Sequence, residues 1–126
     1  MTAESKTIAI IGASTNREKY GNKAVRAWAM KGYTVYPVTP KADEVEGFKA
    51  YPSIRDIPGN VDIVSLYVPA AVGVRLLPDI ADKKAREIYV NPGAESDELM
   101  AEAKALGLNA MNACSILAIG LTPEEV

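Results

Sequence analysis

The sequence predicts an α/β protein built on a doubly wound parallel sheet, and three observations carry that prediction. Short apolar, β-branched runs alternate with stretches of helical periodicity along the whole chain. Each apolar run ends in a cluster of glycine, proline or small polar residues, and no internal repeat breaks the alternation. With 126 residues, one domain over 1–126 is expected, large enough to bury a core without staples.

Ile8 to Ile11 read as a buried first strand, followed by the turn Gly12-Ala13-Ser14. Gly21 to Lys31 places Val25, Trp28, Ala29 and Gly32 on one stripe, so a helix should lie there on the sheet and close at Gly32. Trp28, the single tryptophan, is expected as a core anchor. Tyr33 to Val38 is the second strand, ending in Thr39-Pro40-Lys41. Asp43 to Pro58 is a longer connection, broken by Gly47 and Pro52, with one helical turn at Ser53 to Ile57. Val61 to Val68 is apolar enough for a central third strand and stops at Pro69.

Ala70 to Lys84 carries Val72, Leu76, Leu77 and Ile80 on one helical face, and Pro78 inside it predicts a kink or a break. Glu87 to Asn91 is the fourth strand, ending in Asn91-Pro92-Gly93. Ser96 should cap a helix with Asp97 and Glu98 in its first turn, Leu99, Ala103 and Leu106 on its buried stripe and Gly107 at its end. Asn109 to Ala113 gives a short fifth strand, and Cys114 to Ile119 an apolar segment of no assigned form.

Right-handed crossovers turn this order into a single Rossmann-like sheet of five strands, most simply in the order 3-2-1-4-5. The switch point would then lie between strands 1 and 4, and the loops after strands 1 to 4 would share one edge. That is where open α/β sheets bind ligands. The first loop reads as a generic phosphate turn: Gly12 permits close backbone approach, and the small Ala13 and Ser14 leave backbone N–H groups and a hydroxyl to donate to oxyanions. Ser14 stands where a dinucleotide fingerprint has its second glycine. Asn16 lies in the same polar turn, and Arg17 and Lys19 supply charge.

The second strand ends without the carboxylate that accepts from an NAD ribose, and offers Lys41 instead. A phosphorylated ribose is therefore expected, as in NADP or coenzyme A. Pro69 and Pro92 would provide flat apolar walls.

Composition closes other routes. The chain has no histidine, so it holds no histidine-based triad, metal ligand or phosphohistidine; no catalytic residue and no metal site are assigned. A single cysteine, Cys114, excludes an internal disulfide; it reads as a small buried hydrophobe, the alternative being a thiol near a ligand's sulfhydryl end. A net charge of −2 argues against nucleic acid as partner. No apolar run approaches the ~20 residues of a membrane span, and MTAESKT lacks the pattern of a signal peptide, so a cytoplasmic location is expected.

Taken in order, the runs IAIIGASTNREKYGNKAV and GYTVYPVTPKADEVEGFKAYPSIRDIPGNVDIVSLYVPA resemble the coenzyme A-binding domain of succinyl-CoA synthetase α subunits and NDP-forming acyl-CoA synthetases, and their small free-standing relatives. The likeness spans about Ile8 to Leu117. It implies coenzyme A as the ligand. It also implies that Gly12, Ala13, Ser14, Lys19 and Tyr20 hold the pyrophosphate, that Thr39, Pro40 and Lys41 meet the 3′-phosphoribose, and that Val68, Pro69, Asn91, Pro92 and Gly93 line the adenine or pantetheine path. Ligases of the family carry a phosphorylated histidine in a second domain. The expected function is thus a stand-alone module that holds or senses CoA or an acyl-CoA without catalysis, the alternative being the CoA component of a split ligase with its histidine on another chain. An NADP-binding domain is the weaker alternative. A homodimer or a ligase-type protein is the expected macromolecular partner.

Overall fold

Side-chain alternation along the first strand sets the layers. Ile8 and Ile10 pack with Trp28 and Ile116 on one side of the sheet, while Ala9 and Ile11 pack with Leu66, Leu77 and Leu99 on the other. The computed structural model describes residues 6–126. Residues 1–5, on which most of the reading of the N-terminus rests, lie outside the described residues.

The main sheet joins β1 (Thr7–Ile11), β2 (Thr34–Val38), β5 (Ile63–Leu66), β6 (Glu87–Val90) and β7 (Ala110–Asn112), all parallel. Helices α1 (Tyr20–Met30) and α4 (Ser115–Ala118) cover one face, and α2 (Ala70–Asp82) and α3 (Asp97–Ala105) the other. This is the doubly wound Rossmann-like class that the sequence predicts.

The strand order is β2-β1-β5-β6-β7, which differs from the expected one: the third predicted strand, β5, lies beside β1 and not outside β2. Two features of the chain account for this. All four residues of β5 are buried, which requires cover on both faces and a partner on both edges. Pro37, inside β2, has no N–H for a second ladder, and its carbonyl accepts the Tyr51 N–H on the outer side, so β2 belongs at the edge. The switch point is therefore between β1 and β5.

The connection after β2 contains a two-stranded hairpin, β3 (Glu44–Val45) with β4 (Phe48–Lys49), which the sequence reading passes over as loop. Its two-residue turn has positive φ at both Glu46 (52°) and Gly47 (85°), the geometry that matches strand twist. A 3₁₀ turn at Ile54–Asp56 follows, capped by the Ser53 hydroxyl, which accepts from the Arg55 N–H.

Helix α2 runs through Pro78 without the expected break, with buried Leu77 and Ile80 on either side of it fixed to the sheet. In α3 the Ser96 hydroxyl accepts the Leu99 N–H as predicted, but Leu106 at its C-terminus is exposed and leaves the buried stripe. Trp28 is 1% exposed and stands edge-on to Tyr33, a core anchor as expected.

Candidate ligand-binding cleft

A cleft of about 950 Å³ opens along the carboxyl edge of the sheet, at the β1/β5 switch point. Its position follows from the topology: the chain leaves β1 toward β2 on one side and returns toward β5 on the other, so the two following loops diverge. Gly12 sits at the centre. Its φ of 93° disfavours any side chain, and a Cβ there would come within 2.5 Å of the Tyr67 carbonyl oxygen. Gly21 in the first turn of α1 is as tightly fitted, because a Cβ would collide with the Gly12 carbonyl.

The close fit changes the chemistry read from the turn. The Gly12 and Ala13 N–H groups donate to the Val38 carbonyl at 3.0 and 3.3 Å, so they are not open to an oxyanion. The Ser14 hydroxyl accepts from the Asn16 N–H at 3.0 Å and keeps its own proton to donate. Asn16 in turn accepts from the Glu18 N–H at 3.0 Å, an Asx turn that shapes the loop.

Two helix N-termini compensate for the lost donors. Neither α1, begun by Lys19, nor α2, begun by Pro69, has a capping side chain or an acidic residue in its first turn. Lys19, Tyr20 and Gly21 line the cleft from one side, and Pro69 and Val72 from the other. An uncapped end forgoes about 1 kcal/mol of helix stability, which the burial of Trp28 in α1, worth roughly 3 kcal/mol, readily offsets. Helix α3, which does not face the cleft, has both a cap and acidic residues. Partial positive charge from two helix ends thus converges on the space that an anionic ligand would occupy.

Of the residues that the sequence singles out, Gly12, Ala13, Ser14, Lys19, Tyr20, Thr39, Pro40, Lys41, Val68, Pro69, Pro92 and Gly93 all line this cleft. Thr39 is buried, and its hydroxyl accepts the Lys41 N–H at 3.2 Å, which fixes the turn that carries the exposed lysine. Three do not line it. Asn16 acts within its own loop. Arg17 pairs with Glu46 at 3.3 Å on the far side of the turn, beside a separate surface groove. Asn91 is buried beneath the floor, bonded to Ser65, Ser115 and the Leu66 carbonyl.

Other lining residues escaped the sequence reading. Pro52, Ser53 and Ile54 form a wall that depends on the hairpin, and Val72 and Leu76 turn from the expected buried stripe of α2 toward the cleft. Tyr67 belongs to the floor, half-buried, with its hydroxyl 3.2 Å from Ser115 Oγ. Burial holds its phenol above the ordinary pKa of 10. Cys114 is half-buried just before α4, outside the cleft lining. Among the described residues no helix is long and apolar enough to cross a membrane.

Fold and cleft together define a doubly wound α/β domain with an anion-attracting site at its switch point. The chain belongs to the CoA binding domain family, whose model matches residues 6–120. The acetate–CoA ligase [ADP-forming] I of Archaeoglobus fulgidus is 39% identical over 82 residues, which cover 65% of this chain and 11% of that protein. The chain therefore matches only a small part of that curated relative. A conserved hypothetical protein from Pyrococcus furiosus has a similar structure, with a TM-score of 0.83 and 34% identity over 90% of this chain and 98% of that one. The dinucleotide forming acetyl-coenzyme A synthetase 1 of Ca. Korarchaeum cryptofilum, in its apo form, matches with a TM-score of 0.74 and 27% identity, over 86% of this chain and 26% of that one.

Proposed function

We propose that this chain binds coenzyme A or an acyl-CoA in the switch-point cleft, holding or sensing it without catalysing acyl transfer itself. The observation that carries this reading is the convergence of two uncapped helix ends, the Ser14 hydroxyl and Lys41 on one cleft, in a chain of the CoA binding domain family. In this reading the helix ends and Lys19 neutralise the pyrophosphate, and Lys41 meets the phosphate on the ribose. Prolines 40, 69 and 92 supply the flat apolar surface that an adenine or pantetheine group needs. The absence of histidine from the chain supports binding without phosphoryl chemistry on an imidazole.

A second reading has the chain as the CoA-binding component of a split acyl-CoA ligase. The likeness to an acetate–CoA ligase of which it covers 11% favours it. The Pyrococcus furiosus protein of nearly the same extent favours the first reading.

Titration calorimetry of the purified chain with CoA, dephospho-CoA, NADP and NAD tests the proposal. CoA is expected to bind at least tenfold more tightly than dephospho-CoA, a difference of about 1.4 kcal/mol. Preference for NADP, or no binding by any of the four, would overturn it. Acyl-CoA formation that appears only when a co-purified protein is added would favour the split ligase.

A further inference from the structure

Beneath the cleft runs a chain of polar side chains whose hydrogen-bond directions can be followed to one unassigned proton. Asn91 Nδ2 donates to Ser65 Oγ and to the Leu66 carbonyl, each at 2.8 Å. Ser65, accepting there, sends its own proton to Ser115 Oγ at 2.9 Å. The Trp28 Nε1–H donates to the same oxygen at 3.2 Å. Two incoming donors occupy both lone pairs of the Ser115 hydroxyl. Its proton then has the Tyr67 hydroxyl oxygen, 3.2 Å away, as acceptor. Tyr67 therefore accepts from Ser115, and its own phenolic proton is left either to Ser65 Oγ, which already accepts from Asn91 and donates to Ser115, or to the cleft that the residue lines.

We propose that Tyr67 orients the ligand: its phenolic O–H donates to a carbonyl oxygen on the pantetheine arm of a bound CoA or acyl-CoA. The inference rests on the CoA reading above and gives the arm a polar anchor of its own. A carbonyl fits better than a phosphate for two reasons. The anionic groups have the helix ends, Ser14 and the lysines to meet them, whereas the Tyr67 ring is bedded in the same apolar layer as Trp28 and Ile116. Desolvation also keeps the phenol protonated, so it remains a neutral donor. Asn91, Ser65, Ser115 and Trp28 act through Tyr67 as positioning residues. The chain from core to cleft fixes the hydroxyl before ligand arrives, so little ordering entropy is lost on binding.

The test compares the wild type with Tyr67→Phe in calorimetry, using CoA and 3′,5′-ADP, which keeps the nucleotide end and lacks the arm. CoA affinity is expected to fall about three- to tenfold, the range of one neutral hydrogen bond, with 3′,5′-ADP unchanged within about twofold. Unchanged CoA affinity overturns the inference alone. Equal losses for both ligands move the contact to the nucleotide end and overturn the assignment to the arm. Failure of the wild type to bind CoA removes the functional reading first, and this inference with it. A measurement on the wild type needs no variant: with carbon-13-labelled pantetheine carbonyls, one resonance should move downfield on binding, and no movement overturns the proposal.

Discussion

Asn91 holds Ser115 in place: its Oδ1 accepts the Ser115 N–H at 2.9 Å and so ties the start of α4 to the end of β6. The carboxamide is 1% exposed, and its Nδ2 is taken up by Ser65 and the Leu66 carbonyl. Asn91→Ala strands these partners in the buried interior. A loss of about 3 kcal/mol in the free energy of urea unfolding is expected. A loss below about 1 kcal/mol would mean that water replaces the side chain.

Gly12 and Gly59 separate two costs that a glycine substitution can carry. Both have positive φ, 93° and 78°, but a Cβ at Gly59 meets nothing within 4 Å, whereas at Gly12 it meets the Tyr67 carbonyl oxygen at 2.5 Å. Gly59→Ala should cost about 1 kcal/mol, the price of the backbone conformation alone. Gly12→Ala must also push β1 from β5, so its loss should exceed that of Gly59→Ala by at least about 2 kcal/mol. Equal melting temperatures for the two variants would contradict the close approach at the switch point.

How much of this was legible in the chain depends on what kind of signal each feature leaves. The layers and the five strands of the sheet left periodicity and terminators, and Ser96, Trp28 and the four loop clusters were readable for the same reason. Strand order left two marks: the apolar run Val61 to Val68, which suits a central strand, and Pro37, whose missing N–H assigns β2 to an edge. The hairpin was hidden because Glu46, a residue with no turn preference, adopts φ 52° in it. The loss of the Gly12 and Ala13 donors to the Val38 carbonyl depends on how β2 ends beside β1, a pairing that no local pattern encodes. Tyr67 falls inside the expected third strand, Val61 to Val68, and just after the observed β5; its two-residue spacing from Ser65 is the available hint that both side chains leave the sheet on one face.

Lys41 and Arg17 are both cations near the first two loops, and the structure separates them. Lys41 is exposed at the cleft on a turn fixed by Thr39, while Arg17 is paired with Glu46 outside it. Lys41→Ala should weaken CoA about tenfold and leave dephospho-CoA unchanged, erasing the discrimination between them. Arg17→Ala should change CoA affinity by less than about twofold. Calorimetry at two salt concentrations checks the assignment, because the Lys41 contribution must shrink as salt rises. A larger effect from Arg17→Ala than from Lys41→Ala would reverse the roles.

Glu46 links the first loop to the hairpin, and its ionisation should make that link sensitive to acid. Its carboxylate accepts from Asn22 Nδ2 at 3.0 Å and pairs with Arg17 at 3.3 Å. The Asn22 hydrogen bond first, and then the charges of Arg17 and Arg26, hold its pKa below the ordinary 4.5. A carboxylate lowered on folding adds stability above its unfolded pKa, and that contribution disappears as pH falls through the folded value. In melting experiments the wild type should therefore exceed Glu46→Gln by a constant margin at neutral pH. The margin should close as the pH is taken below 4.5, because both side chains are then neutral acceptors for Asn22. A margin that stays constant into the acid range would show that the ion pair with Arg17 adds nothing and that the Asn22 hydrogen bond, from α1, alone holds the hairpin.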